Sequence, residues 1–343
     1  MAIEKKRVTS LDLIRLFSCL CVTLVHFNAQ ISGYNPETLF TYPNSIIPNF
    51  YWEGRIYLGS IGVSLFFMLS GSTLMLTYKP GNIFAYYKKK IKNIFPMFWI
   101  AFAAATIFDF FYNKAMPADN PLFLLLSITG LDGYLFTLGW IPFAFYKVGE
   151  WFLGCILILY LLFPFLHLCV EKKPFFTTLI SLILYWFLTT LGVDSKVFLM
   201  RIPEVLLGML FIKYDMEEKP LTIVAATSGV FLAAWFLRNH IDANTLCIAF
   251  CSTLFAIIAA SSKLIKSEKV KKCFADFAAL TYPIFLVHHW IIQKMVQGFY
   301  LPALPKRSVI MMLIVYFAIT LIAAKLLMLA NQWIIKKLLH RHM

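Results

Sequence analysis

TSLDLIRLFSCLCVTLVHFNAQI, residues Thr9–Ile31, decides how the rest of the chain is read. It is apolar enough to cross a bilayer, yet it carries Asp12, Arg15 and His26. Arg15 and His26 are separated by ten residues. Eleven helical steps of about 100° return to within about 20° of the starting direction, so both side chains leave one face. The rise places them roughly 16 Å apart along the axis. Ionisable groups inside a membrane helix are costly and turn toward a protein-lined or watery interior. The pair implies a polar path through about half of the membrane.

The composition fits that reading. Of 343 residues, 60% are hydrophobic and 14% charged, and the mean hydropathy is +0.76; soluble domains are about a quarter charged. The net charge of +14 sits in short clusters between apolar runs, as the positive-inside rule describes, and not in a nucleic-acid-binding stripe. No nucleic-acid partner is expected. Basic residues Lys5, Lys6 and Arg7 precede the first run, as in a signal peptide. The charges within that run and the lack of a small-residue cleavage pattern favour a retained span with its N-terminus in the cytoplasm.

Ten apolar runs predict ten membrane helices, near 9–31, 59–78, 94–114, 150–170, 175–192, 197–213, 220–238, 244–262, 274–297 and 308–331. The expected fold is an all-α bundle around a polar cavity, a single domain over 1–343. Alternate loops hold Lys79, Lys88–Lys90 with Lys92, Lys172 and Lys173, Lys213 and Lys219, then Lys263, Lys266, Lys269, Lys271 and Lys272, with Lys336, Lys337 and Arg341 in the tail. The opposite loops have only scattered Arg55, Lys114, Lys147, Lys196, Arg238, Lys306 and Arg307. This asymmetry puts both termini in the cytoplasm. The stretch 115–149 is apolar and aromatic but broken by Gly130, Gly133 and Gly139. A span there would put the later lysine clusters outside, so it reads as a re-entrant or interfacial segment on the outer face.

Seven scattered cysteines, without a CxxC pair or metal-ligand spacing to histidine, read as small core residues. Neither disulfides nor a metal is expected. Ser70, in SLFFMLSG (Ser64–Gly71), lacks the strand–turn–helix context of a nucleophile and reads with Gly71 as a close helix contact. Asp12 and Arg15, three apart, can neutralise each other.

Several motifs in order carry a family resemblance. They are LDLIRLFSCLCVTLVH (Leu11–His26), SLFFMLSG (Ser64–Gly71), the basic loop with IFPMFW (Lys88–Trp99), EWFLGCILILYLLFP (Glu150–Pro164), RIPEVLLGM (Arg201–Met209) and LTYPIFLVHH (Leu280–His289). In this order the chain resembles the acyltransferase-3 family of integral membrane acyltransferases, which modify cell-surface glycans and related molecules. The resemblance implies that Arg15 and His26 are both required for acyl transfer. It also implies acetyl-CoA as donor, a glycan or lipid-linked sugar as acceptor, and a multi-pass position in the cytoplasmic (inner) membrane, in contact with membrane lipid. Two arginines, three apart, are common before the family's Ile-x-Pro; here those positions hold Lys90 and Asn93. Lysine keeps a charge without the bidentate fork, and asparagine keeps neither.

The chemistry of the residues agrees. His26, about 17 residues into a helix entering from the cytoplasm, reaches the outer half and suits proton abstraction from an alcohol. Arg15 lies nearer the cytoplasm, where it would orient an anionic donor; Lys88, Lys89, Lys90 and Lys92 would bind the same donor. His288 comes to a depth like that of His26, and Glu150, Arg201 and Glu204 open spans at the outer face. These are the supporting residues, with Glu150 or Glu204 as the partner of His26. Of the adjacent His288 and His289, only one is expected to face the site, and His288 is favoured. A transporter or flippase would share the spans and buried charges but would not turn over acyl-CoA, and no repeat with matched broken helices is evident. An accessory subunit would tolerate loss of Arg15 and His26. The acceptor, the oligomeric state (homo-oligomer included) and the choice between direct transfer and an acyl-histidine intermediate are left open.

Overall fold

A computed structural model describes residues 9–31, 56–113, 122–144, 148–297, 299 and 304–340. The ordered elements are helices: α1 (Thr9–Ile31), α2 (Leu58–Thr77), α3 (Ile83–Asn113), α4 (Leu122–Thr129), α5 (Asp132–Thr137), α6 (Glu150–Lys172), α7 (Pro174–Thr190), α8 (Ile202–Lys213), α9 (Pro220–Phe236), α10 (Ala243–Ser262), α11 (Glu268–Ala278), α12 (Thr281–Val296) and α13 (Lys306–His340). Short 3₁₀ turns at Phe198–Arg201 and Met216–Glu218 flank α8.

Six helices, α1, α2, α3, α6, α10 and α13, are long and apolar enough to cross a membrane. Each of the ten expected runs holds a helix. However, α7 and α9 have 17 residues, α12 has 16 and α8 has 12, at or below the length that spans about 30 Å of hydrocarbon. The protein is an all-α membrane protein, with six crossings supported by length and composition. Exposed apolar side chains fit a lipid surround. No residue of α9 is buried although the helix is mostly apolar, as fits a lipid-facing helix.

Two departures from the sequence reading have local causes. The run 274–297 is two helices, α11 and α12, parted at Ala279 and Leu280. The α11 sequence EKVKKCFADFA is strongly amphipathic and charged, unlike a span. The basic residues Lys88–Lys92 lie within a helix and not in a loop. Asn82 accepts a hydrogen bond from the Ala85 amide (2.8 Å) at the start of α3, and this cap extends the helix back to Ile83. At 31 residues, α3 is roughly 46 Å long, longer than the roughly 30 Å of hydrocarbon it would cross.

Segment 115–149 folds, where described, into α4 and α5 of 8 and 6 residues, too short to cross. Gly130 (φ 75°) and Gly139 (φ 72°) take left-handed conformations at the breaks, which glycine adopts without steric cost. Residues 115–121 and 145–147 of that segment, Lys147 among them, lie outside the described residues, as do Lys5, Lys6, Arg7, Arg55, Lys114 and Arg341.

The core packs α1 against α2 and α12, and α2 against α8. Backbones approach closely at glycine. A Cβ on Gly208 would stand 1.8 Å from the Met68 carbonyl oxygen, and one on Gly71 would stand 2.0 Å from that of Val205. Ser72 adds a hydrogen bond to the Gly208 carbonyl (2.9 Å). Small residues permit such contacts where lipid supplies no hydrophobic drive. Gly71 is therefore a close packing contact, whereas Ser70, one residue earlier, lines a cavity together with Arg15.

Candidate active site

Helices α1, α6 and α12 meet twice, at two levels. The level nearer the start of α1 is a cavity of about 280 Å³ lined by Arg15, Ser70, Lys90, Asn93, Tyr160 and Tyr282, with Phe66, Phe152 and Phe285 among its apolar walls. Arg15 pairs with the buried Asp12 (Nη1 to Oδ1, 3.1 Å) and still lines the cavity. Pairing with Asp12 and facing the site are thus compatible, because the carboxylate fixes a long side chain that would otherwise lose rotamer freedom on ordering. The Lys90 ammonium lies 4.3 Å from the centre of the Tyr160 ring. Lys88, Lys89 and Lys92 are exposed on α3 and do not line the cavity; at 100° per residue a helix cannot turn four near-consecutive side chains to one side.

The second level holds three histidines and a glutamate. His26 Nδ1 stands 3.1 Å from His288 Nε2 and 3.6 Å from Glu150 Oε1. His289 Nδ1 meets the same Glu150 oxygen. The His26 ring stacks on that of His288, centroids 5.0 Å apart, and lies 4.6 Å from that of His289. Both adjacent histidines therefore face the site, correcting the expectation of one. Neighbours on α12 diverge by about 100°, and the His26 ring enters between them from α1. His289 was missed for that reason.

The hydrogen bonds fix the proton positions. His288 Nδ1 lies 2.9 Å from the Phe285 carbonyl and 3.1 Å from that of Ile284. A carbonyl only accepts, so Nδ1 carries the proton and His288 Nε2 offers a lone pair. The bond to His26 then requires His26 Nδ1–H as donor, which leaves the His26 Nε2 lone pair free. The Gln30 amide donates to His289 Nε2 (3.4 Å), so His289 Nδ1–H donates to Glu150.

Glu150 is held by unusual backbone. It is the first residue of α6 and has φ 42°, following Gly149 at φ 86°; a left-handed non-glycine residue costs about 1–3 kcal/mol and needs support from its surroundings. Gly133 of α5 supplies some of it, since a Cβ there would lie 2.8 Å from the Glu150 carbonyl carbon. The broken segment before α6 thus packs closely against the backbone that carries the carboxylate.

Arg201 and Glu204 form a separate buried pair (Nη1 to Oε1, 3.1 Å). Arg201 also donates to Asn244 Oδ1 (3.2 Å) and packs near Phe67 and Trp151. No contact among the described residues brings either to His26. Of the two acidic candidates, Glu150 stands beside the histidine. A further pair, Lys294 Nζ to Asp109 Oδ1 at 2.8 Å, ties α12 to α3; both residues lie in apolar runs and escaped the sequence reading. His26, Glu150 and His288 each turn one donor atom inward, all within 4.8 Å of one another, a set able to hold a metal ion. The cysteines are free and take no part.

Residues 8–329 match the family described as an acyltransferase domain, acyltransferase-3. No curated protein and no solved structure gives a match. The match runs from just before α1 to about two thirds of the way along α13 and includes both levels of the site. The chain belongs to the acyltransferase-3 family of integral membrane acyltransferases.

Proposed function

We propose that this membrane acyltransferase moves an acetyl group from cytoplasmic acetyl-CoA to a hydroxyl of a cell-surface or lipid-linked glycan. The observation that carries the reading is the proton arrangement at His26, whose Nδ1–H is engaged by His288 (3.1 Å) and whose Nε2 lone pair is left to a substrate. His26 is the general base. Its Nε2 takes the proton of the acceptor hydroxyl as the oxygen attacks the thioester carbonyl carbon, forming the new C–O bond. The carbon–sulfur bond then breaks, and the CoA sulfur leaves as thiolate and recovers the proton from His26. An ester and free CoA result. The Glu150 carboxylate, 3.6 Å from the ring, stabilises the imidazolium formed in between.

Arg15 and Lys90 line the cavity that receives the anionic donor. Fixed cations suit phosphate oxygens, and an aromatic floor suits the pantetheine arm. Lys88, Lys89 and Lys92 attract the donor from the exposed turns of α3. Arg201 and Glu204 support the helix packing beside Trp151. Both termini lie in the cytoplasm, and the protein resides in the inner membrane.

The test is the O-acetyl content of host surface polysaccharides by NMR, in cells making native protein or His26→Ala at equal membrane abundance. Loss of a defined acetyl signal with His26→Ala is expected. Native protein that neither adds acetyl groups nor consumes acetyl-CoA would sink the reading.

A further inference from the structure

The same three side chains, His26, His288 and Glu150, also describe a metal site, once the His26 proton shifts from Nδ1 to Nε2. In a tetrahedral zinc site, ligand atoms at about 2.0–2.2 Å from the ion lie roughly 3.3 Å from one another. His26 Nδ1 stands 3.1 Å from His288 Nε2 and 3.6 Å from Glu150 Oε1, on either side of that spacing. One donor atom of each residue lies within 4.8 Å of the other two, the arrangement of three ligands on one face of an ion. The surroundings have the form metal sites require. His288 Nδ1–H is tied to the Ile284 and Phe285 carbonyls, fixing the tautomer that points a lone pair at an ion, and His289 holds the carboxylate. The His26 side chain is 23% exposed, which gives an ion a way in, whereas His288 is 1% exposed and keeps competing solvent out.

We propose that His26, His288 and Glu150 form a binding site for a divalent transition-metal ion of the zinc class, and that an ion bound there switches off His26 as a base. Two imidazoles and one carboxylate select zinc, cobalt, nickel or copper over magnesium and calcium, which prefer all-oxygen shells. The consequence follows from proton count. An ion on His26 Nδ1 takes the lone pair of that nitrogen, so the ring's single proton moves to Nε2. That nitrogen can then no longer accept a proton from a hydroxyl. Binding stands on the geometry alone; its effect on turnover rests on the acyl-transfer reading.

The full chain, purified in detergent and stripped with a chelator, is titrated with Co²⁺ while its visible d–d absorption is followed, and with Zn²⁺ by equilibrium dialysis. Neither acyl-CoA nor acceptor is present. One ion per chain is expected, with Zn²⁺ displacing Co²⁺. Glu150→Gln and His288→Ala should abolish the intense absorption, and His289→Ala should weaken binding by about 10–100-fold. Thermal unfolding and gel-filtration profiles verify that each variant is folded; should His288→Ala fail, the isosteric Glu150→Gln suffices. Native protein taking up no more metal than the Glu150→Gln variant overturns the site. Metal binding at full occupancy with undiminished acyl transfer overturns the switch but not the site. Metal binding without acyl transfer by metal-free protein would instead count against the enzyme reading.

Discussion

His288 Nε2 accepts a hydrogen bond from His26 Nδ1 at 3.1 Å while its own Nδ1–H is anchored on the Ile284 and Phe285 carbonyls. The backbone of α12 thereby sets the tautomer of a ring on α1, across 262 residues of sequence. Such anchoring makes His288 a positioning residue: it need not touch substrate to govern which nitrogen of His26 is basic. Replacing it with alanine is expected to lower kcat about 10²-fold, the lower end of what a positioned base contributes, while KM for acetyl-CoA stays within a factor of about two. His288→Gln, whose amide oxygen can accept from Nδ1–H, should recover part of the loss. Steady-state kinetics on membranes of equal protein content check this, and a rise in KM with kcat intact would refute it.

Arg15 belongs to the other level, and its removal should read differently. The guanidinium lines the cavity and is steadied by Asp12 at 3.1 Å. Arg15→Gln is expected to raise KM for acetyl-CoA about tenfold, equivalent to about 1.4 kcal/mol of lost charge-assisted bonding. It should also weaken inhibition by free CoA to a similar degree. Arg15→Lys should fall between, since it keeps the charge without the fork. Inhibition by desulfo-CoA, measured for both variants, separates donor binding from chemistry.

The spacing of Arg15 and His26 was enough to place both on one interior face, because helical periodicity is a local property. The identity of their partners was only half legible. Glu150 and Glu204 both open apolar runs, and nothing in one dimension distinguishes the residue on α6, beside His26 at 3.6 Å, from the one on α8, which is satisfied by Arg201 at 3.1 Å. His289 was misread by treating a helix face as a line. A third ring lying between two neighbours can meet both. The metal-binding geometry had no sequence signal at all, since its ligands come from three helices far apart in the chain. Helix ends were the other weak point: the cap at Asn82 turned an expected basic loop into the first turns of α3.

The α2–α8 contact offers a test of the fold independent of activity. The Gly208 site has no room for a methyl group, with the Met68 carbonyl oxygen 1.8 Å from where its Cβ would fall. The atom in the way is backbone, so the helices themselves must separate. Gly208→Ala is expected to destabilise the protein by about 1–3 kcal/mol and to lower the thermal unfolding midpoint in detergent. Gly229→Ala, on α9 with nothing within 4 Å of its Cβ, should leave the midpoint unchanged or slightly raised. Equal midpoints for the two variants would show that the close approach of α2 and α8 is wrong.

Gly133 tests whether the broken segment before α6 serves the site. A methyl group there would lie 2.8 Å from the Glu150 carbonyl carbon and 3.0 Å from its oxygen, close enough that the backbone of a residue already at φ 42° has to move. The carboxylate is 9% exposed and shared between His26 and His289, so a shift of a few tenths of an ångström alters its placement against both rings. A misplaced carboxylate stabilises the imidazolium less, and that species exists only during the reaction. Gly133→Ala is therefore expected to cut kcat about tenfold or more, with KM for acetyl-CoA unchanged, because the cavity proposed for the donor is lined by other residues. Glu150→Gln removes the charge outright, so adding Gly133→Ala to it should cost little further. That non-additivity is the decisive reading: independent, multiplying losses in the double variant would mean that Gly133 acts on something other than Glu150.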